Sequence, residues 1–419
     1  MTPGDRDPVV LEGTVVAGGA SLSRSFLVLA PAMVAANALN YAFNLVMSRL
    51  LGPADYGALG ALLALVLVGT VPGVAFQAVV ARHTALAGEA VGRLWSWVLV
   101  AAAVAGGALG LLAVAASPAL AAFLHLASLG PCLWLAAALL PLPLLSATQG
   151  MLQGREWFGA LAAVLLTAAG VRLAAGAGLV RAMPGVEGAM AATAVGSAVA
   201  VLVAMPRLRA RGRWERPGRQ PGLGGEVAAA TTGVLGLLLL ANVDVLLARH
   251  FLPAEASGLY AAGAVLTKIA FWAPQFVVTL VFPRLVTAAD RRRLLGRSAV
   301  VVAAVGAPLV AGAALAPQLA ARLSFGQAYL DVGPTLPLFA ALGTGLALVQ
   351  LVLFTGMATV DRGMYRLLLA AVAAEALLVA GFLHDSVAQI VGASLAVVAA
   401  LLATGFALAV RRPTWSVPS

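Results

Sequence analysis

The chain has 419 residues, 62% of them hydrophobic and 10% charged, with 26 Lys+Arg against 16 Asp+Glu and a formal net charge of +10. Soluble domains carry about a quarter of their residues as charges, so a water-soluble globule is excluded, and this much apolar content excludes intrinsic disorder as well. Long uninterrupted apolar runs exclude a transmembrane β-barrel, whose strands alternate, and assign the basic excess to membrane topology rather than to nucleic acid.

Residues 1–24 are polar, with Asp5, Asp7 and Glu12 beside Arg6. They read as a cytoplasmic N-terminal tail, because a cleavable signal needs a basic start and a short apolar core. Six apolar runs follow at roughly 25–48, 58–81, 94–116, 132–148, 158–180 and 185–205, an N-terminal six-helix lobe over 25–205. Residues 206–226 (PRLRARGRWERPGRQPGLGGE) form the only long polar linker, basic, cytoplasmic and suited to the inner leaflet. Six more runs lie at roughly 227–248, 258–283, 298–316, 335–357, 367–383 and 387–410, a C-terminal lobe over 227–410 with a cytoplasmic tail at 411–419. A span takes ~20 apolar residues. The expected fold is therefore an all-α polytopic membrane protein of about 12 transmembrane helices.

Arginine placement tests that count. With a cytoplasmic N-terminus, twenty arginines fall inside, while the outer loops hold only Arg49, Arg181, Arg249 and Arg322. This is the positive-inside asymmetry, and both termini are expected in the cytoplasm of a bacterium, in its inner membrane. Cys132 is the only cysteine, so no internal disulfide or paired-cysteine metal site forms. His83, His125, His250 and His384 are widely spaced, which excludes an HExxH-type zinc site. Lys268, the single lysine, lies in LTKIA and not after a glycine-rich loop, so no P-loop is present. The reading therefore includes no metal, cofactor or catalytic residue, and no enzyme.

The two lobes look like repeats. Arg49, Pro53, Ala54 and Asp55 precede Arg249, Pro253, Ala254 and Glu255 by 200 residues, Pro72 and Arg82 precede Pro274 and Arg284 by 202, and Arg155 and Phe158 precede Arg362 and Tyr365 by 207. Six helices per repeat make the halves parallel, an arrangement in which transporters place a substrate path between the lobes. Polar residues recur at helical spacing on one face of the first span (Asn37, Asn40, Tyr41, Asn44, Ser48) and the eighth (Lys268, Trp272, Gln275, Thr279). The repeat offsets relate Gln77 to Thr279 and Asn44 to Asp244. These stripes are candidates to line a central cavity. Arg172, Asp244, Lys268 and Glu375 are charges inside spans; each costs ~3 kcal/mol at membrane depth, so each needs a cavity or a partner. For Arg172 and Glu375 the sequence does not choose between the two.

Several segments resemble a family. They are Ser48–Gly57 (SRLLGPADYG), LQG at Leu152–Gly154 with Trp157 and Phe158, Asp244–Leu266 (DVLLARHFLPAEASGLYAAGAVL) and Phe325–Leu330 (FGQAYL). In this order they resemble the polysaccharide flippases of the multidrug/oligosaccharidyl-lipid/polysaccharide (MOP) exporter superfamily. That resemblance implies a cavity lined by helices one, two, seven and eight, and alternating access for a polyprenyl-pyrophosphate oligosaccharide in surface-polysaccharide synthesis. Lys268 would attract the pyrophosphate, with Arg24, Arg49 and Arg249 as further phosphate contacts, while Asn and Gln side chains meet sugar hydroxyls. Expected partners are the lipid-linked oligosaccharide and the bilayer, then polysaccharide polymerase and glycosyltransferases. Two alternatives stay open: a cation-coupled multidrug exporter, with Asp244 as its acid, and a membrane glycosyltransferase or polymerase using an outer acid such as Asp55.

Overall fold

A computed structural model describes residues 19–87, 91–211, 214–218, 222–274, 291–357 and 362–411. Helix α1 (Gly19–Gly69) holds two crossings joined at Gly52, whose φ of 72° suits a residue without Cβ, and Pro53 restarts the helix. The second crossing breaks at Thr70 and continues as α2 (Val71–Leu86) with Pro72 in its first turn. The third is α3 (Val91–Phe123). The fourth is split at Pro141 into α4 (Gly130–Leu139) and α5 (Leu142–Gly154). Helices α6 (Phe158–Ala182) and α7 (Val186–Arg211) complete the first half.

In the second half, α8 (Leu223–Leu240) and α9 (Val243–Phe251) make the seventh crossing, and α10 (Ala254–Trp272) begins the eighth. Helix α11 (Arg291–Leu315) leads to the short α12 (Pro317–Ser324) and a 3-10 helix (Gln327–Thr335). Then come α13 (Leu336–Met357), α14 (Arg362–Gly381) and α15 (Val387–Arg411). Among the described residues nine stretches are long and apolar enough to cross a membrane, and one of them, Val28–Leu86, turns back at Gly52 to cross twice. With α10 and α14 these make the twelve crossings read from the sequence.

Repeat and structure agree in detail. The Gly52–Pro53 turn recurs 200 residues on as the extended Leu252 and Pro253, and the break before Pro72 recurs as a turn at Ala273–Pro274. The halves are not identical: α8 and α9 part at Ala241–Asn242, whereas α1 runs unbroken through Tyr41 and Ala42, and the fourth crossing is split at Pro141, whereas α13 is continuous. The linker is more ordered than its Pro and Gly content predicts, since α7 continues through Pro206 to Arg211 and α8 begins at Leu223. Arginines are good helix formers and extend the helix beyond its apolar part. Between α7 and α8, Trp214, at 5.9 Å from the Trp95 ring, and Glu215, 3.6 Å from Arg93, lie against α3.

The membrane inverts the usual exposure rule. Leu111 and Leu112 of α3 are 72% and 66% exposed, a lipid-facing surface rather than a defect. Across the halves, α1 packs on α9 and α10, and α2 on α8. On the face away from the linker the approach is close: a Cβ on Gly60 would stand 2.7 Å from the Ala261 Cβ, and one on Gly57 would meet Ser257 and, at 2.8 Å, the Gly258 nitrogen. There the Tyr329 hydroxyl donates to the Ser48 carbonyl (2.9 Å) and Arg49 to the Leu323 carbonyl (2.7 Å). On the linker face Glu226 meets Arg82 and His83 at 3.6 and 3.1 Å.

Candidate functional site

All four intramembrane charges named from the sequence belong to one array. Lys268 on α10 feels the charges of Arg172 on α6 and of Asp244 on α9, and Glu375 on α14 feels that of Asp244. The array runs from the first half into the second, with its two cations on opposite sides of the boundary.

The break at Ala241–Asn242 explains Asp244. It places the carboxylate in the first turn of α9, where unpaired backbone N–H groups favour an anion. Asp244 is 3% exposed; its Oδ2 accepts from the Tyr260 hydroxyl at 2.8 Å, and its Oδ1 has no hydrogen-bond partner. Both oxygens of the fully buried Glu375 also lack partners, as does Oε1 of Gln350 on α13. No ion pair within 4 Å joins Lys268 to a carboxylate among the described residues.

Arg172 is held from α1. Its guanidinium lies 4.0 Å from the centroid of the Phe43 ring and donates to Asn40 Oδ1 at 3.3 Å, while its buried Nε has no partner. Of the α1 stripe, Asn40 is thus joined to the array. The Asn44 amide returns to the Asn40 carbonyl (2.9 Å), Tyr41 is half-buried and Asn37 is exposed. Gln77 donates to Gln153 Oε1 at 3.1 Å, a contact within the first half. Trp272 is 45% exposed with its edge on Phe271. Gln275 and Thr279 lie outside the described residues, as does the Arg24 side chain.

Arg49 and Arg249 sit away from this array, on the face opposite the linker. Arg249 is buried and bonded to the Leu124, Ala54 and His125 carbonyls and to Ser257. Tyr260 was missed by sequence reasoning; it lies sixteen residues beyond Asp244, with no spacing signal to link them. Two surface cavities, about 520 Å³ beside Arg209 and Trp214 and about 460 Å³ between α11 and α13, contain none of the candidate residues. Among the described residues no His, Cys, Asp and Glu cluster suits a metal ion.

The family described as polysaccharide biosynthesis protein matches residues 46–334. The chain belongs to this family. Its fold is shared with MOP-superfamily exporters. The eukaryotic MATE transporter AtDTX14 matches at 16% identity and TM-score 0.65, over 94% of this chain and 97% of that one. A multidrug resistance MATE family transporter in its inward-facing conformation matches at 14% identity and TM-score 0.66, over 88% and 93%. An outward-facing MATE structure matches at 13% and 0.58, over 92% and 94%. No curated protein sequence matches the chain. The chain thus belongs to the polysaccharide biosynthesis protein family and has the polytopic membrane fold of the MATE transporters of the MOP superfamily.

Proposed function

We propose that this exporter flips a polyprenyl-pyrophosphate-linked oligosaccharide from the cytoplasmic to the outer leaflet of a bacterial inner membrane. The linker and both termini are cytoplasmic in this reading. The observation that supports it is a pair of half-buried cations from different halves, Arg172 on α6 and Lys268 on α10, carried by helices that both pack against α1. Like charges held at membrane depth are costly. A pyrophosphate between them would offset their repulsion, the planar guanidinium matching its oxygens and the ammonium adding a point charge. Asn40, which already orients Arg172, and Asn44 are available to sugar hydroxyls. The isoprenoid tail stays in lipid, and rocking of the two lobes carries the head across; no bond is made or broken.

Equilibrium binding of the lipid-linked oligosaccharide to the purified protein tests this reading. Lys268→Ala and Arg172→Ala should each weaken binding, added pyrophosphate should compete, and Lys268→Arg should keep most affinity. Equal affinity in wild type and both alanine variants would remove the reading.

A second reading, a cation-coupled multidrug exporter, has its own observation: Asp244 and Glu375 together hold three buried oxygens without partners. It requires saturable binding of an organic cation that is lost in Asp244→Asn and indifferent to Lys268→Ala.

A further inference from the structure

Three of the four histidines, distant in sequence, meet on the face opposite the linker. Helix α3 ends there in a Schellman arrangement, with Leu126 N–H donating to the Ala121 carbonyl (2.9 Å) and His125 N–H to that of Ala122 (3.3 Å). The left-handed position that glycine usually fills is taken by His125, at φ 51°. A non-glycine residue there is strained and persists only where surrounding contacts hold it.

Those contacts come from the other half. Two consecutive side chains at the end of α9, Arg249 and His250, receive three consecutive carbonyls of the first half. His250 Nδ1 meets the Phe123 carbonyl at 2.8 Å, Arg249 Nε donates to Leu124 at 2.9 Å, and its terminal nitrogen donates to His125 at 3.4 Å. Because a carbonyl only accepts, Nδ1 of His250 carries the proton and Nε2 is the atom left to take another. The His250 ring stacks on Phe123 (4.3 Å between centroids) and on His125 (5.3 Å), while Phe251 bridges to His384 (4.8 Å).

We propose that Arg249 and His250 are the latch that closes the lobes on this face, and that the stacked His125–His250 pair makes the latch sensitive to acid on that side. With both rings neutral the stack and the caps hold. Protonation leaves the Nδ1–H bond intact but sets two cations about 5 Å apart beside the Arg249 guanidinium. The groups facing the pair offset this only in part. Asp55 acts on Arg249, Asp385 lies 3.9 Å from His384, and Glu187 on α7 is engaged by the Ser128 hydroxyl at the far end of the α3–α4 loop. Charging the pair therefore weakens the latch. It rests on the rocking of lobes proposed above, not on the identity of the substrate.

The test uses the full chain in lipid nanodiscs, with Cys132→Ser and spin labels at Leu129→Cys and Phe382→Cys, both exposed on this face. Distances are read by pulsed electron resonance at about pH 8 and about pH 5. The lower pH should raise the open-to-closed ratio about tenfold. His125→Asn, whose amide tolerates the left-handed backbone, should stay closed at both values, His384→Gln should still respond, and Arg249→Gln should be open at both. Where Arg249→Gln is not monodisperse, Arg249→Lys, which retains one donor group, should be open at about pH 8 in part. A distance that ignores pH in the wild type overturns the proposal. So does a full response in His125→Asn, or a closed face in the Arg249 variants. If the substrate reading fails, flipping is absent while the distances still follow pH; if the latch fails, flipping survives with distances that do not.

Discussion

Gly60→Ala probes the contact that closes the two halves opposite the linker. The added methyl would stand 2.7 Å from the Ala261 Cβ, with its next neighbours at 3.7 and 3.9 Å. Carbon atoms settle at about 3.5–4.0 Å, so the second and eighth crossings must part by about 1 Å. Overpacking of this kind costs ~1–3 kcal/mol. If the lobes separate on this face during transport, the penalty falls on the closed state alone. At ~1.4 kcal/mol per decade, the closed-to-open ratio should fall by about tenfold. The spin-label pair Leu129→Cys and Phe382→Cys reads that ratio directly. Nearly the whole clash is with one methyl, so Ala261→Gly should restore the wild-type distances in the double variant. A Gly60→Ala protein with unchanged distances, or one that Ala261→Gly fails to rescue, would refute the reasoning.

Three further outcomes are expected. Tyr260→Phe removes a side-chain donor, the only one among the described residues, from the buried Asp244 carboxylate and should destabilise the protein by ~1.5–3 kcal/mol in chemical denaturation, an effect that largely disappears when Asp244 is already alanine. Removing one of Lys268 and Asp244 leaves uncompensated buried charge, worth up to ~3–5 kcal/mol; Lys268→Ala should lower protein yield, and the Lys268→Ala, Asp244→Ala pair should recover yield but not flipping. Full flipping by that pair would show that Lys268 serves only to neutralise. Tags at Met1 and Ser419 should be protected from external label in intact cells, and labelling of either one contradicts the topology.

Much of the fold was legible because the bilayer constrains it so strongly. Apolar length gave the crossings. The offsets of 200 and 202 residues anticipated matched turns at Gly52–Pro53 and Leu252–Pro253, and matched breaks near Pro72 and Pro274. Where helices break was harder to see: Ala241–Asn242 contains no proline or glycine, and that break puts Asp244 at a helix start.

The site was legible as a set of expensive residues and not as an arrangement. Four charges inside spans had to be explained, and all four meet in one array. Their partners come from helices far apart in sequence, as Asn40 and Arg172 are, and Tyr260 carried no periodic signal. Arg249 had an obvious phosphate chemistry, but its buried guanidinium is occupied by helix-end carbonyls. The histidines dismissed by spacing converge only because the two halves fold together, bringing residue 125 onto residue 250.

The central claim is met most directly by transbilayer movement of a lipid-linked oligosaccharide in proteoliposomes, read as loss of head-group access to an external sugar-modifying reagent. The account predicts movement by wild type and Lys268→Arg, and little by Lys268→Ala or Arg172→Ala when both are folded and abundant. Movement at the wild-type rate in the two alanine variants, or none in the wild type, would contradict it.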